Sequence, residues 1–173
     1  MMDIFCEYIV KKKIEALDVI KLFGIIVAAI VLSFVALIIG LSFDMGIGFA
    51  LVAIVIYLAY LLSKFIYTEF EYALTNSELD VDRIIGRSRR KRVITVDFKT
   101  VEICASINDE RYKSEFNNTN AVTKTINATG KSDYDIYFVD FQNDAGKPRV
   151  LFHPTDKMKD ALKKINPRTI HIL

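Results

Sequence analysis

The chain has 173 residues, a net charge of +2 and two cysteines, so it holds one ordinary domain, or a small domain plus membrane segments. The near-balanced charge gives no footing for nucleic-acid binding. Cys6 and Cys104 show no metal or redox spacing and read as buried or interfacial free thiols. Apolar and charged residues are segregated: 52% of residues are hydrophobic and 25% charged, yet between Leu22 and Ile66 the only charges are Asp44 and Lys64.

In residues 1–21, Ile4, Phe5, Tyr8, Ile9, Ile14 and Leu17 recur at roughly helical spacing among charges. The pattern predicts a juxtamembrane helix, either amphipathic in the headgroup region, continuous with the first span, or packed on the soluble domain.

Residues 22–41 read LFGIIVAAIVLSFVALIIGL without a charge. At about 1.5 Å per residue the run is about 30 Å long, the thickness of a bilayer core. A second run, residues 46–62, extends to 66 around Lys64 and carries Tyr57, Tyr60 and Tyr67 toward its far end, where aromatic rings favour the interface. Only Ser42-Phe43-Asp44-Met45 separates the runs, so residues 22–66 form an antiparallel two-span hairpin. Lys11, Lys12, Lys13, Lys21 and Lys64 flank it and the turn has no Lys or Arg, which predicts a multi-pass cell-membrane protein with both termini cytoplasmic. A cleaved signal peptide fits poorly, because the region before the run is long and contains acids. Ala28, Ala29, Ala36, Gly46 and Gly48 permit close helix packing and self-association. No ionisable residue lies mid-span, which argues against a transport path.

From Tyr67 the period becomes alternating. Phe70, Tyr72 and Leu74 mark a first strand and Thr75-Asn76-Ser77 a turn. Leu79, Val81 and Ile84 mark a second strand, with Asp80 and Asp82 facing away. Gly86-Arg87-Ser88 makes the next turn, residues 90–96 a third strand, and Val101, Ile103 and Ala105 a fourth. Residues 108–120 read as a long loop, 121–128 as a weak fifth strand, and 135–142 and 149–153 as two strands joined by Asn143-Asp144-Ala145-Gly146. A closing helix follows Pro154, with Thr155 as N-cap and Met158, Ala161, Leu162 and Ile165 on one face. Residues 67–173 thus form the soluble domain.

The stretch YALTNSELDVDRIIGRSRRKRVITVDFKTVE (residues 72–102) and the helix after Phe152-His153-Pro154 resemble the bacterial members of the pleckstrin-homology-like (PH-like) superfold. The whole chain resembles a family of small two-span bacterial membrane proteins carrying a cytoplasmic PH-like domain. The resemblance implies an α+β chain: a transmembrane helical hairpin followed by a mostly antiparallel β domain of about seven strands, closed by a C-terminal helix. It implies a location and no activity.

The most conspicuous cluster is Arg83, Arg87, Arg89, Arg90, Lys91 and Arg92. Near an anionic leaflet each such residue contributes about 1 kcal/mol, which marks the hairpin as a candidate lipid-headgroup or protein contact. The plainer alternative is a solvated edge whose charges suppress edge pairing, neutralised by Asp80, Asp82 and Asp97. Asp80 and Asp82 lack a third ligand for a cation, and His153 and His171 have no Cys or acidic partner at recognisable spacing. No nucleophile elbow, phosphate loop or dinucleotide motif is present. Two glycosylation patterns, at Asn117 and Asn127, are irrelevant to a cytoplasmic domain. The expectation is therefore a non-enzymatic interaction module without metal or cofactor, binding a protein partner, an anionic headgroup or a second copy. An accessory subunit of a larger membrane complex is the alternative, and a small membrane enzyme with an unrecognised site the third.

Overall fold

The computed structural model describes residues 5–172, which form two compact units. Residues 14–68 and 85–89 make up one unit; residues 5–13, 69–84 and 90–172 make up the other.

The helical unit contains α1 (Ala16–Leu41) and α2 (Met45–Lys64). Both are apolar all round, with mean hydropathies of 3.1 and 2.4 over their most apolar windows, and are long and apolar enough to cross a membrane. Phe23, Phe34, Ile38, Ile47, Ile54 and Leu58 stand exposed along them, an apolar surface of the kind that marks a membrane or protein contact. Asp44 caps α2, its side chain accepting from the Gly46 N–H at 2.7 Å. The helices meet backbone to backbone near the turn: a Cβ added to Gly40 would lie 2.2 Å from Gly48 Cα. Gly48 was among the small residues read from the sequence; its partner Gly40 was not.

The other unit is built of two sheets. The first contains β1 (Phe5–Lys11), β2 (Thr68–Thr75), β3 (Glu78–Ile85) and β4 (Arg89–Asp97), in the order β1-β2-β3-β4. The second contains β5 (Val101–Ser106), β6 (Lys124–Asn127), β7 (Tyr137–Phe141), β8 (Pro148–Phe152) and β9 (Ile170–His171), in the order β6-β8-β7-β5-β9. Most pairings are antiparallel; β6 with β8 and β5 with β9 are parallel. Tyr72, Leu74, Leu79, Val81 and Val96 from the first sheet meet Cys104, Val139, Val150 and Phe152 from the second in one buried core. Tyr72 and Phe152 touch edge to face with centroids 5.9 Å apart, and the Tyr72 hydroxyl donates to Ala128 O at 2.6 Å. Helix α3 (Lys113–Asn117) belongs to the segment between β5 and β6, and helix α4 (Asp156–Ile165) follows β8. The closing helix α4 buries Met158, Ala161 and Leu162 against this core, and Thr155 Oγ1 accepts from the Met158 N–H at 3.3 Å.

The β domain does not simply follow the hairpin. Phe5–Lys11, expected to be helical, is strand β1, paired antiparallel with β2 from Phe5↔Thr75 to Lys11↔Glu69. The physical reason is a period-2 set, Cys6, Tyr8 and Val10, that packs on the core; Val10 is fully buried. The Tyr8 ring lies edge-on to Tyr134 at 5.5 Å, and Lys131 N donates to Lys11 O at 2.8 Å. Helix begins only at Ala16, where the Glu15–Asp18 capping box starts α1. Ile4 lies outside the described residues. The helical pair is thus an insertion between two neighbouring strands. The expected loop at 108–120 contains short helical turns, Glu110–Tyr112, Lys113–Asn117 and Thr119–Ala121.

Candidate interaction surface

The basic hairpin divides at its tip. Ile85-Gly86-Arg87-Ser88 closes with Ser88 N donating to Ile85 O at 3.3 Å, and Gly86 and Arg87 both have positive φ, 61° and 59°. Two left-handed residues in succession make the turn that matches strand twist, a geometry that favours Asn and Gly. A long side chain there costs of order 1 kcal/mol, so Arg87 sits at the tip against its backbone preference.

Within the helical unit this tip rests on the end of α2. Gly86 N donates to Tyr67 O at 2.9 Å, and a Cβ on Gly86 would lie 3.2 Å from Lys64 O. Tyr60, Ser63, Lys64, Tyr67, Arg87 and Ser88 line a cavity of about 700 Å³ beside Gly86, with no carboxylate among its lining residues. Lys64 Nζ stands 4.5 Å from the Tyr60 ring centre, and the Arg89 guanidinium 5.8 Å from that of Phe65.

Arg90 and Arg92, in the sheet unit, are committed to acids. Arg92 pairs with Asp80 at 2.6 Å and with Asp82, and Thr95 Oγ1 donates to Asp80 at 2.7 Å. Asp80 and Asp82 are therefore a clamp for a strand arginine. Asp97, expected to neutralise the cluster too, instead accepts from Lys99 N in the following turn. Arg90 Nη2 lies 2.9 Å from Glu71 Oε1. Arg83 and Lys91 are exposed on their strands.

Glu71 is 2% exposed, and its Oε2 has no donor among the described residues. Burial pushes its carboxyl up to about 7, and a hydrogen bond shared with Glu7 adds to the rise; Arg90 opposes it, while the Glu7 and Asp82 charges reinforce it.

Elsewhere the polar groups serve the fold. His153 is buried, its Nδ1 2.7 Å from Tyr134 O and its Nε2 accepting from Gly130 N at 3.3 Å. His171 stacks on Tyr112 at 4.3 Å. Cys104 is buried and its thiol is pushed up by desolvation, which makes it inert; Cys6 is half-buried. Among the described residues no group of three or more His, Cys, Asp or Glu side chains is placed to hold a metal ion.

Residues 2–172 match the family described as Bacterial PH-like domain (DUF6106). The chain belongs to this family. No curated protein and no solved structure matches it. In this PH-like chain, sequence reasoning missed Lys64 as a neighbour of the tip, Glu71 as a buried acid, and the Asp140–Arg149 pair. Arg149 holds Asp140 with two bonds of 2.7 Å, donates to Glu115 O at 2.9 Å and to Phe116 O, and stands 5.3 Å and 5.0 Å from the Phe116 and Phe138 ring centres. The signal was an acid in YFVDF and a base in PRVLF, strands whose short turn places Asp140 opposite Arg149.

Proposed function

We propose that the protein is a membrane-anchored, non-catalytic PH-like module that presents an interaction surface at the cytoplasmic face of the cell membrane. The observation that carries this reading is the insertion of the helical pair between β1 and β2. Strands flanking the pair belong to one sheet, so for a membrane-spanning hairpin both flanks share one side. Lys11, Lys12, Lys13, Lys21 and Lys64 on those flanks, against a turn without Lys or Arg, favour the cytoplasm. An interaction role is favoured over catalysis by the chemistry of the polar groups: of the buried ionisable side chains, Asp109, Asp140, Arg149 and His153 are bonded into the fold, and Glu71 is paired with Arg90 on a strand.

A second reading, an accessory subunit in a larger membrane assembly, draws support from an apolar groove of about 540 Å³ between α1 and α2, bordered by Gly24, Ala28 and Ala59. Labelling single cysteines with a membrane-impermeant maleimide tests the topology, in a Cys6→Ala background and in sealed vesicles of each orientation. Phe43→Cys should react only from outside and Lys157→Cys only from the cytoplasmic side. Reaction of both positions from one side would remove the spanning arrangement. Stoichiometric co-purification of one membrane protein would favour the second reading.

A further inference from the structure

The cavity at the end of α2 has the makings of a ligand site that the basic stretch alone does not define. Two cations, Lys64 and Arg87, line it together with the hydroxyl-bearing residues Tyr60, Ser63, Tyr67 and Ser88. The neighbouring arginines Arg90 and Arg92 already have acidic partners on their own sheet, Glu71 for Arg90 and Asp80 with Asp82 for Arg92. The helix C-terminus carries a partial negative charge that works against an anion. Here that effect is blunted: the Leu62, Ser63 and Lys64 carbonyls accept from Phe65, Ile66 and Tyr67 N–H groups, and Lys64 itself lies in the last turn.

We propose that this cavity binds the phosphate-bearing headgroup of an anionic phospholipid. Charge complementarity selects an anion, and the helix beneath selects a lipid. Lys64 lies one turn after Tyr60, and the residues three, four and seven positions before Tyr60 on the same face of α2 are Tyr57, Ile56 and Ala53, with Tyr57 and Ile56 exposed. Acyl chains leaving a headgroup held at Lys64 and Arg87 meet this apolar face, and Tyr57, Tyr60 and Tyr67 lie toward the C-terminal end of α2, where amphipathic rings favour a membrane interface. Arg87 retains a left-handed backbone at the tip, where Asn or Gly would relieve the turn, which is consistent with a use for its charge. The groove bordered by Gly24 and Ala28 uses Val55, Leu58, Ala59, Leu62 and Ile66, a different face of α2, and is not part of this site.

The inference rests on the membrane-anchored reading, which the cysteine labelling tests separately. The test is native mass spectrometry of the full-length protein in detergent, titrated with phosphatidylglycerol, with phosphatidylcholine of the same chains, and with inorganic phosphate. Saturable preference for phosphatidylglycerol is expected. The double variant Lys64→Gln/Arg87→Asn should lose roughly thirtyfold in that affinity, whereas Lys91→Gln on the same hairpin should lose little. Asn suits the left-handed position, so the single Arg87→Asn variant decides the matter if the double variant does not fold. Equal binding of the two lipids, wild-type affinity in the Arg87→Asn variant, or displacement of the lipid by equimolar phosphate would overturn the proposal. A protein correctly inserted by the labelling assay that fails here loses the lipid site and keeps the anchored module.

Discussion

The two units are built for different surroundings. In the sheet unit the large side chains are buried and the strand arginines are paired with acids: Tyr72, Phe98, Phe138 and Phe152 are fully covered, and Arg90, Arg92 and Arg149 each hold a carboxylate. In the helical unit the large side chains face outward, and the buried residues are glycines, Gly40 and Gly48. A hydrophobic core organises the first, where water drives burial. For the second, as the membrane-spanning pair we propose, lipid would supply no such drive between the helices, and close backbone packing would do the equivalent work. One chain therefore follows two packing rules, and substitutions should separate them.

The largest effect is expected at Asp140→Ala. It strands the Arg149 guanidinium in a buried position and should cost the sheet unit about 3–5 kcal/mol. Chemical denaturation followed through β-sheet circular dichroism would read this, while the helical signal in detergent should persist. Gly40→Val is the complementary change. A side chain there meets Gly48 Cα at 2.2 Å, so the helices must separate, at about 1–3 kcal/mol. The distance between spin labels placed at Ile39 and Phe49 should lengthen, with the sheet unit's unfolding midpoint unchanged.

The smallest effect concerns pH. The Glu71 carboxyl titrates near 7 in the folded chain against an ordinary value of 4.5, so the folded state holds the proton more tightly. Its contribution to stability is fully present below about 4.5 and is lost as pH rises through 7. The thermal stability of the sheet unit should therefore fall between pH 5 and pH 8. Glu71→Gln should flatten this part of the profile; an unchanged slope would mean that Glu71 is not the group responsible.

Legibility in the sequence followed the same division. The helical pair was plain because an uncharged run about 30 Å long has few other uses. Strands β2 to β5, β7 and β8 were plain from alternation and turn residues, and the closing helix from its Thr155 cap and its apolar face. Strand β1 was missed because Phe5, Tyr8 and Ile9 fall at helical spacing, whereas the core-facing set is the alternating Cys6, Tyr8 and Val10. Its partner β2 lies across the whole insertion, so no local turn announces the pairing. The basic cluster was visible as charge, yet which arginines are neutralised depended on Glu71 and Asp80 in neighbouring strands. That Lys64 would share a cavity with Arg87 depended on a contact between the hairpin tip and the helix end, which no spacing rule contains.

The central claim is that β1 completes the PH-like domain from the far side of the helical insertion. It is tested most directly by comparing two soluble chains: residues 67–173 alone, and the full chain with residues 13–67 replaced by Asn-Gly to close β1 onto β2. The account predicts that the second folds as a soluble domain with a cooperative thermal transition. The first, without Val10 and Tyr8 on its core, should aggregate or melt without a clear transition. Equal stability of the two chains would contradict the claim and return residues 5–11 to the role of a membrane flank.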